Sequence, residues 1–388
     1  MVARAPGLST HSCPARATKV RRAIPLRYTR RRNPIAIHKR PEEESMRAVS
    51  LLRGLCAALL FALPYAAAAQ GELVVYCTVQ EEWCRPMVAA FEKATGIKVA
   101  MTRKSAGEFY AQIKAEAANP RGDIWWGGTG DPHLQAAEEG LTEAYKSPRM
   151  AELQDWAVKV WDASKGRTVG VYAGALGYTY NTDLLKKKNI PEPKCWSDLV
   201  KPQFKDEVQV ANPNSSGTSY NMLATLVQIM GEDKAFDYLK QLHRNVNQYT
   251  KSGAAPARAV ATGETMVGIV FQHDALYQIL GGAHMKIVSP CEGTGYEIGS
   301  MSIIKGAKNM ENAKKWYDWA LSPEAQAIGL DAKVSYQLPS NKNAPVSPLA
   351  PKFSEIKLIN YDFPKYGSSA ERSRLLARWD KEVSTLPK

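Results

Sequence analysis

The 388-residue chain contains no apolar run of the roughly 20 residues that a membrane-spanning helix requires, so no segment reads as a bilayer span. It has six cysteines but no C-x-x-C pair, which leaves zinc-ribbon and thioredoxin-like readings without support. There is no G-x-S-x-G elbow, no H-E-x-x-H, no Walker loop and no G-x-G-x-x-G following a strand. The commoner hydrolase, metalloprotease, nucleotide-triphosphate and dinucleotide chemistries therefore lack their signatures, and no enzyme is expected. None of the 17 tyrosines stands next to another.

A basic balance is present overall, but it is unevenly distributed. The formal net charge is +13, from 51 Lys+Arg against 38 Asp+Glu. Residues 1–70 hold 13 of the bases and only three acids, Glu42, Glu43 and Glu44, so they carry +10 and leave +3 for residues 71–388. A nucleic-acid partner is excluded on this ground, because the positive charge lies outside the globular part. From Met46 the order is Arg47 and Arg53, an apolar run over 55–63, then Pro64 and the alanines 66–69. This is the layout of a cleaved secretory signal over 46–70, and it predicts a periplasmic protein. Cys56 follows Leu55, a residue too large for lipoprotein processing. Residues 1–45, rich in Arg and Pro without periodicity, read as a mis-assigned start or a disordered extension.

Four cysteines remain after the leader: Cys77, Cys84, Cys195 and Cys291. An even number in an exported chain permits two disulfides. The seven-residue spacing favours Cys77 with Cys84, leaving Cys195 for Cys291; buried free thiols are the alternative.

From residue 73 onward short apolar runs alternate with helical periodicity, which predicts an α/β fold with largely parallel sheets. Strands are expected over 73–76, 97–102, 123–126, 207–211 and 266–271. Helices are expected where Trp83, Met87 and Phe91 share a face, ending at Gly96, over 106–118, from Asp131 as N-cap with Pro132 following, and over 218–230. The chain turns helical after Met301, with Trp316, Trp319 and Ala320 on one stripe. This length suits two lobes, assigned to 71–172 plus 301–388 and to 173–300. Without a linker, extended strands near 171–180 and 296–304 should cross between them.

Several strand-to-helix turns sit where an anion could bind, since helix starts expose free N–H groups and a partial positive charge. The segment 212–218 supplies Ser215, Ser216 and Thr218. Residues 103–107 supply Ser105 as a cap, with Arg103 nearby, and Gly127–Gly130 encloses Thr129. Each has an ordinary reading as well, a Ser/Thr cap or a tight glycine turn. His273 and Asp274 lie at another such junction, and Glu297 falls on the second expected crossing. From the residues alone Asp274 reads rather as an N-cap and Glu297 as a hinge ion-pair partner. Adjacent residues on an extended turn would point apart, which speaks against acid–base chemistry by His273 and Asp274.

The segments MTRKSAGE, GDIWWGGTGDPHLQAAEEGL, ANPNSSGTSYN, VNQYTKSGAAPARA, FQHDA and PCEGTGYEIGSMSIIKGA resemble the ferric-iron-receptor branch of the type 2 periplasmic binding proteins. Within it they are most similar to hexose-phosphate receptors of the AfuA type, over essentially residues 72–388. The resemblance implies two lobes closing about a hinge, delivery to an ABC permease in the inner membrane, and a monomeric receptor. It implies a small anionic ligand without any cofactor or bound metal. Phosphate would lie against Ser105, Thr129, Ser215, Ser216 and Thr218, with His273, Asp274 and Glu297 on the sugar hydroxyls. Iron receptors of this branch use adjacent tyrosines; here Tyr296 stands alone near the matching place. Ferric iron, or another phosphorylated or phosphonate ligand such as 2-aminoethylphosphonate, is the alternative.

Overall fold

The expected strands and helices form with most boundaries within three residues, but the chain stays extended to Ile304 and turns helical only at Met310, not directly after Met301. A computed structural model of the chain describes residues 71–388; the expected signal segment and the residues before it lie outside the described residues. Strand β1 (Glu72–Cys77) leads to helix α1 (Glu81–Thr95), β2 (Lys98–Arg103) to α2 (Ala106–Ala115), and β3 (Ile124–Thr129) to α3 (Gly130–Glu138). Trp83, Met87 and Phe91 are buried on α1, as their spacing requires, and Gly96 ends the helix in the left-handed region at φ 72°. Helix α2 stops three residues short of the expected 118.

The start of α3 corrects the sequence reading. Its cap is Thr129, not Asp131, which lies inside the first turn and is fully buried. The Asp131 carboxylate instead accepts the Tyr361 hydroxyl at 3.0 Å. The pattern of Asp before Pro matched a cap, but strand β3 runs three residues further than expected and shifts the helix origin.

The long strand β4 (Val169–Asn181) is buried along its whole length. After it come β5 (Val208–Ala211), α4 (Gly217–Met230), α5 (Glu232–His243), β6 (Val246–Thr250), α6 (Ala255–Thr262), β7 (Val267–Phe271), α7 (Gln272–Leu280), β8 (Met285–Val288) and β9 (Tyr296–Ile304). The sheet order is β2-β1-β3-β9-β4-β7-β5-β6. β1 pairs parallel with β2 and β3, and β5 pairs parallel with β6 and β7. The first half of β4 pairs antiparallel with β9, and its second half with β7 and β8. Those two strands lie where the sequence placed the crossings; because β9 also pairs antiparallel with β3, the sheet is mixed and not largely parallel as expected, its parallel pairs being confined to the two flanks. The architecture is two-lobed, with a shared pair of strands between the lobes.

Two hydrophobic clusters underlie the halves. One gathers Leu73, Val75, Phe91, Ile124, Trp126 and Trp316; the other gathers Tyr178, Trp196, Phe204, Leu223, Phe236 and Val267. Burying each such large side chain contributes roughly 1.5–3 kcal/mol. Helix α8 (Met310–Ala320) packs with the first, burying Trp316 and Ala320. The terminal helix α9 (Ser369–Trp379) adds Leu375, Leu376 and Trp379 to the second cluster. Its Arg374 and Arg378 each pair with Glu232 of α5 at 2.7 Å. The same helix also reaches α3, where Arg372 donates to Gln135 Oε1 at 2.7 Å.

Both expected disulfides are present, Cys77–Cys84 and Cys195–Cys291. The second ties the segment before α4 to the turn that leads into β9.

Candidate functional site

Six helices begin at one cleft between the halves. Their N-caps are Gln80, Ser105, Thr129, Ser216, Ala254 and Phe271, for α1, α2, α3, α4, α6 and α7 respectively, and all six line the same cavity. In five of them, all but Ser105, the side chain makes no capping bond. The unsatisfied N–H groups of a first turn carry a partial positive charge. Several of them facing one space make a pole for an anion. Arg103, at the end of β2, adds a formal charge beside them.

The anion pole also holds buried oxygens with no partner. Thr129 Oγ1 and Ser216 Oγ are both buried without a hydrogen bond. A hydroxyl can donate to an anion and accept elsewhere, so these atoms suit phosphate oxygens. Space is tight here: a Cβ on Gly217 would lie 1.9 Å from Thr129 Oγ1, and one on Gly253 would lie 2.1 Å from Thr218 Oγ1. Glycine at 217 lets the two halves approach, and glycine at 253 lets the loop before α6 pack on the start of α4.

A second group of side chains in the same cavity supplies acceptors. His273 and Asp274 occupy the first turn of α7 and are buried; Glu297, on β9, is buried as well. His273 Nε2 lies 3.7 Å from both Asp274 Oδ1 and Glu297 Oε1, and His273 Nδ1 has no partner. Burial pushes the Asp274 carboxyl up to about 7, with Arg258 and Arg103 opposing. Burial likewise lifts Glu297 well above the usual carboxylate range, aided by the negative charges of Asp274 and Asp131. His273 falls to about 3 by desolvation and is neutral at physiological pH. Such groups give and take hydrogen bonds, as sugar hydroxyls demand.

Seven of the eight ligand residues expected from sequence line this cavity: Ser105, Thr129, Ser216, Thr218, His273, Asp274 and Glu297. Ser215 does not. Its hydroxyl donates to the carbonyls of Asn212 and Lys251, at 3.3 and 3.1 Å, and so stabilises the turn before α4. Asp274 is no N-cap, because α7 begins at Gln272 behind Phe271. Glu297 has no Lys or Arg partner among the described residues and faces His273 instead. His273 and Asp274 also share the cavity. They sit on a helical turn, so the expectation that they point apart fails.

Sequence reasoning missed Thr78, Gln80, Tyr172, Gly253 and Gln337, which also line the cavity. Gln80 Nε2 donates to Asp274 Oδ1 across the cleft. The Tyr172 hydroxyl accepts the Gly128 N–H at 2.7 Å. Gln80 follows a strand and opens a helix, so the rule applied to Ser105 would have found it; Tyr172 and Gln337 carry no such signal. Tyr296 packs against Phe353 and Phe363 and lies away from the cavity. Tyr172 is the one tyrosine lining it among the described residues. The one cluster with metal-ligand spacing among the described residues is Cys195, Cys291 and Glu292, and its two sulfurs are joined to each other.

Four contacts connect the halves around the cleft. Gly107 N–H donates to Ser215 O at 3.0 Å, Arg103 to Ser252 Oγ at 3.3 Å, Arg258 to Glu82 at 3.2 Å, and Gln80 to Asp274.

The family model of bacterial extracellular solute-binding proteins matches residues 129–365. A chain from Haemophilus influenzae is 46% identical over 338 residues, which are 87% of this chain and 97% of that one. The periplasmic binding protein AfuA from Actinobacillus pleuropneumoniae, solved with exogenous fructose-6-phosphate bound, is 46% identical. It superposes with a TM-score of 0.79, covering 81% of this chain and 99% of AfuA. A periplasmic protein of Salmonella typhimurium named for 2-aminoethylphosphonate binding is 30% identical over 256 residues, 63% of this chain and 70% of that protein.

Proposed function

We propose that this chain, which belongs to the family of bacterial extracellular solute-binding proteins and is the ligand receptor of an ABC transporter, takes a hexose phosphate in the cleft between its lobes. The observation that carries this reading is the two-poled cleft. Helix starts with the unpartnered Thr129 and Ser216 hydroxyls supply one set of groups; Asp274 and His273 on the first turn of α7, with Glu297 beside them, supply the other. A phosphate belongs at the first and a polyol at the second. The similarity to AfuA, solved with fructose-6-phosphate, points the same way.

Docking begins on whichever lobe meets the ligand first. Contacts from Ser105 and Thr129 on one side and from Ser216, Thr218, His273 and Asp274 on the other are made together only when the lobes close. Closure is therefore favoured by the ligand's differential affinity for the closed state. We place the hinge where β4 and β9 cross, near residues 172 and 300, the receptor in the periplasm as a monomer, and the closed form against the permease in the inner membrane.

A second reading has its own support. The carboxyls of Asp274 and Glu297 would also accept an ammonium, which suits 2-aminoethylphosphonate, and a relative carries that name. Ferric iron is disfavoured, because the positive ends of the helices repel a bare trivalent cation and only one tyrosine among the described residues lines the cavity.

Titration calorimetry against glucose 6-phosphate, fructose 6-phosphate, 2-aminoethylphosphonate and Fe³⁺ separates these readings. Hexose phosphates should bind far more tightly than the others. Tighter binding of the aminophosphonate or of iron would sink the proposal, as would hydrolysis of the sugar phosphate during incubation.

A further inference from the structure

The cleft residue Gln80 lies within the loop that the Cys77–Cys84 disulfide closes. Cys77 is the last residue of β1 and Cys84 lies in the first turn of α1, so the bridge spans Thr78, Val79 and Gln80, all three of which line the cleft. Thr78 and Val79 have other anchors. The Trp125 indole donates to Thr78 Oγ1 at 2.8 Å, the Thr78 N–H donates to Trp126 O at 3.0 Å, and Arg103 Nε donates to Val79 O at 3.0 Å.

Gln80 is different. Its carbonyl accepts the N–H groups of Trp83 and Cys84, both at 3.0 Å, so its place follows that of the α1 start. The disulfide is the covalent tie between that start and β1. From there the Gln80 amide reaches across the cleft to Asp274 Oδ1, while the first turn of α1 pairs Glu82 with Arg258.

We propose that Gln80 is a positioning residue for Asp274, aiming that carboxyl at the ligand as the lobes close, and that the Cys77–Cys84 disulfide is the clamp that sets Gln80 in place. The ligand specificity of one lobe's carboxyl is thus determined in part by a side chain of the other. The proposal rests on the reading that Asp274 meets a polar group of the ligand distal to its phosphate; it does not depend on whether that group is a hydroxyl or an ammonium.

The test compares wild type, Gln80→Ala, the double variant Cys77→Ser/Cys84→Ser, and the combination of all three changes. A Cys195→Ser/Cys291→Ser protein controls for general loss of a bridge. Calorimetry is done with fructose 6-phosphate and with inorganic phosphate. Gln80→Ala should weaken fructose 6-phosphate about tenfold, the order expected for a hydrogen bond to a charged group, and leave inorganic phosphate nearly unchanged. The clamp variant should lose a similar factor. The combination should lose no more than Gln80→Ala alone, because clamp and side chain act as one unit. Multiplying losses, or equal losses for both ligands, would overturn the proposal.

A second readout needs no ligand. The carbon NMR titration of Asp274 is followed in each protein, with His273, Glu297, Arg103 and Arg258 as the charged or titratable neighbours. Removing a donor to the ionised carboxyl raises its midpoint, so Gln80→Ala and the clamp variant should both shift it upward. An unchanged midpoint refutes the positioning role. Failure of wild type to bind any hexose phosphate would instead refute the proposed ligand and leave this titration to decide the positioning role.

Discussion

At the scale of single residues, the carboxyl of Asp274 concentrates the chemistry of the site. Asp274→Ala should weaken hexose-phosphate binding about ten- to a hundred-fold, as expected when a buried partner of a charged hydrogen bond is removed. Inorganic phosphate, which lacks a hydroxyl arm, should lose far less; calorimetry with both ligands decides, and equal losses contradict the assigned role. The same group links stability to pH. Its folded value of about 7 lies above the ordinary 3.8 of an aspartate, so the folded state holds the proton more tightly. Stability from this group is present at low pH and is lost as pH rises from about 4 to about 7. His273, lowered to about 3, acts in the opposite sense below its unfolded value near 6.5, so the wild-type profile alone is ambiguous. The difference between Asp274→Asn and wild type isolates the effect. Thermal midpoints should move in the variant's favour across that window and level off above it. A constant difference from pH 4 to 8 would show that Asp274 titrates normally.

At the scale of elements, the cleft is a meeting of helix starts, and one of them is pressed against the opposing lobe. A Cβ on Gly107 in α2 would lie 2.2 Å from Asn214 O and 2.9 Å from Ser215 O. Both are backbone atoms and cannot swing away. Gly107→Ala should therefore hold the lobes apart. Such overlap costs roughly 1–3 kcal/mol, which predicts a loss of about tenfold or more in hexose-phosphate affinity. The thermal midpoint without ligand should change little, because the clash lies between lobes and not within one. Unchanged affinity would mean that α2 and the turn before α4 do not meet in the liganded state. Elements of this kind were legible in the chain because each begins with a local pattern, a strand followed by Ser, Thr or Gly and then helical periodicity. Ser105, Thr129, Ser216 and Thr218 were found that way. Ser215 has the same local pattern and turns away, because its hydroxyl finds the carbonyls of Asn212 and Lys251 nearer than the cleft.

At the scale of the whole molecule, ligand and closure share one equilibrium. At a ligand concentration a hundred times its dissociation constant the folded state gains about 2.7 kcal/mol. Fructose 6-phosphate should then raise the thermal midpoint by roughly 5 °C and reduce the radius of gyration seen by small-angle scattering. A midpoint shift without compaction would leave binding intact and remove hinge closure.

Periodicity and turn residues determined the α/β class and the strand-to-helix junctions, since these depend on near neighbours in the chain. The pairing of Cys77 with Cys84 was also within reach of local spacing. Other features belong to the tertiary structure alone. Asp131 followed a cap pattern yet became a buried partner of Tyr361, 230 residues away, and α9 settled on α5 through Arg374 and Arg378. Gln80 and Asp274, 194 residues apart, meet because β4 and β9 bring two lobes edge to edge. No local preference encodes such a meeting. It follows from how two separate cores are oriented about a shared pair of strands.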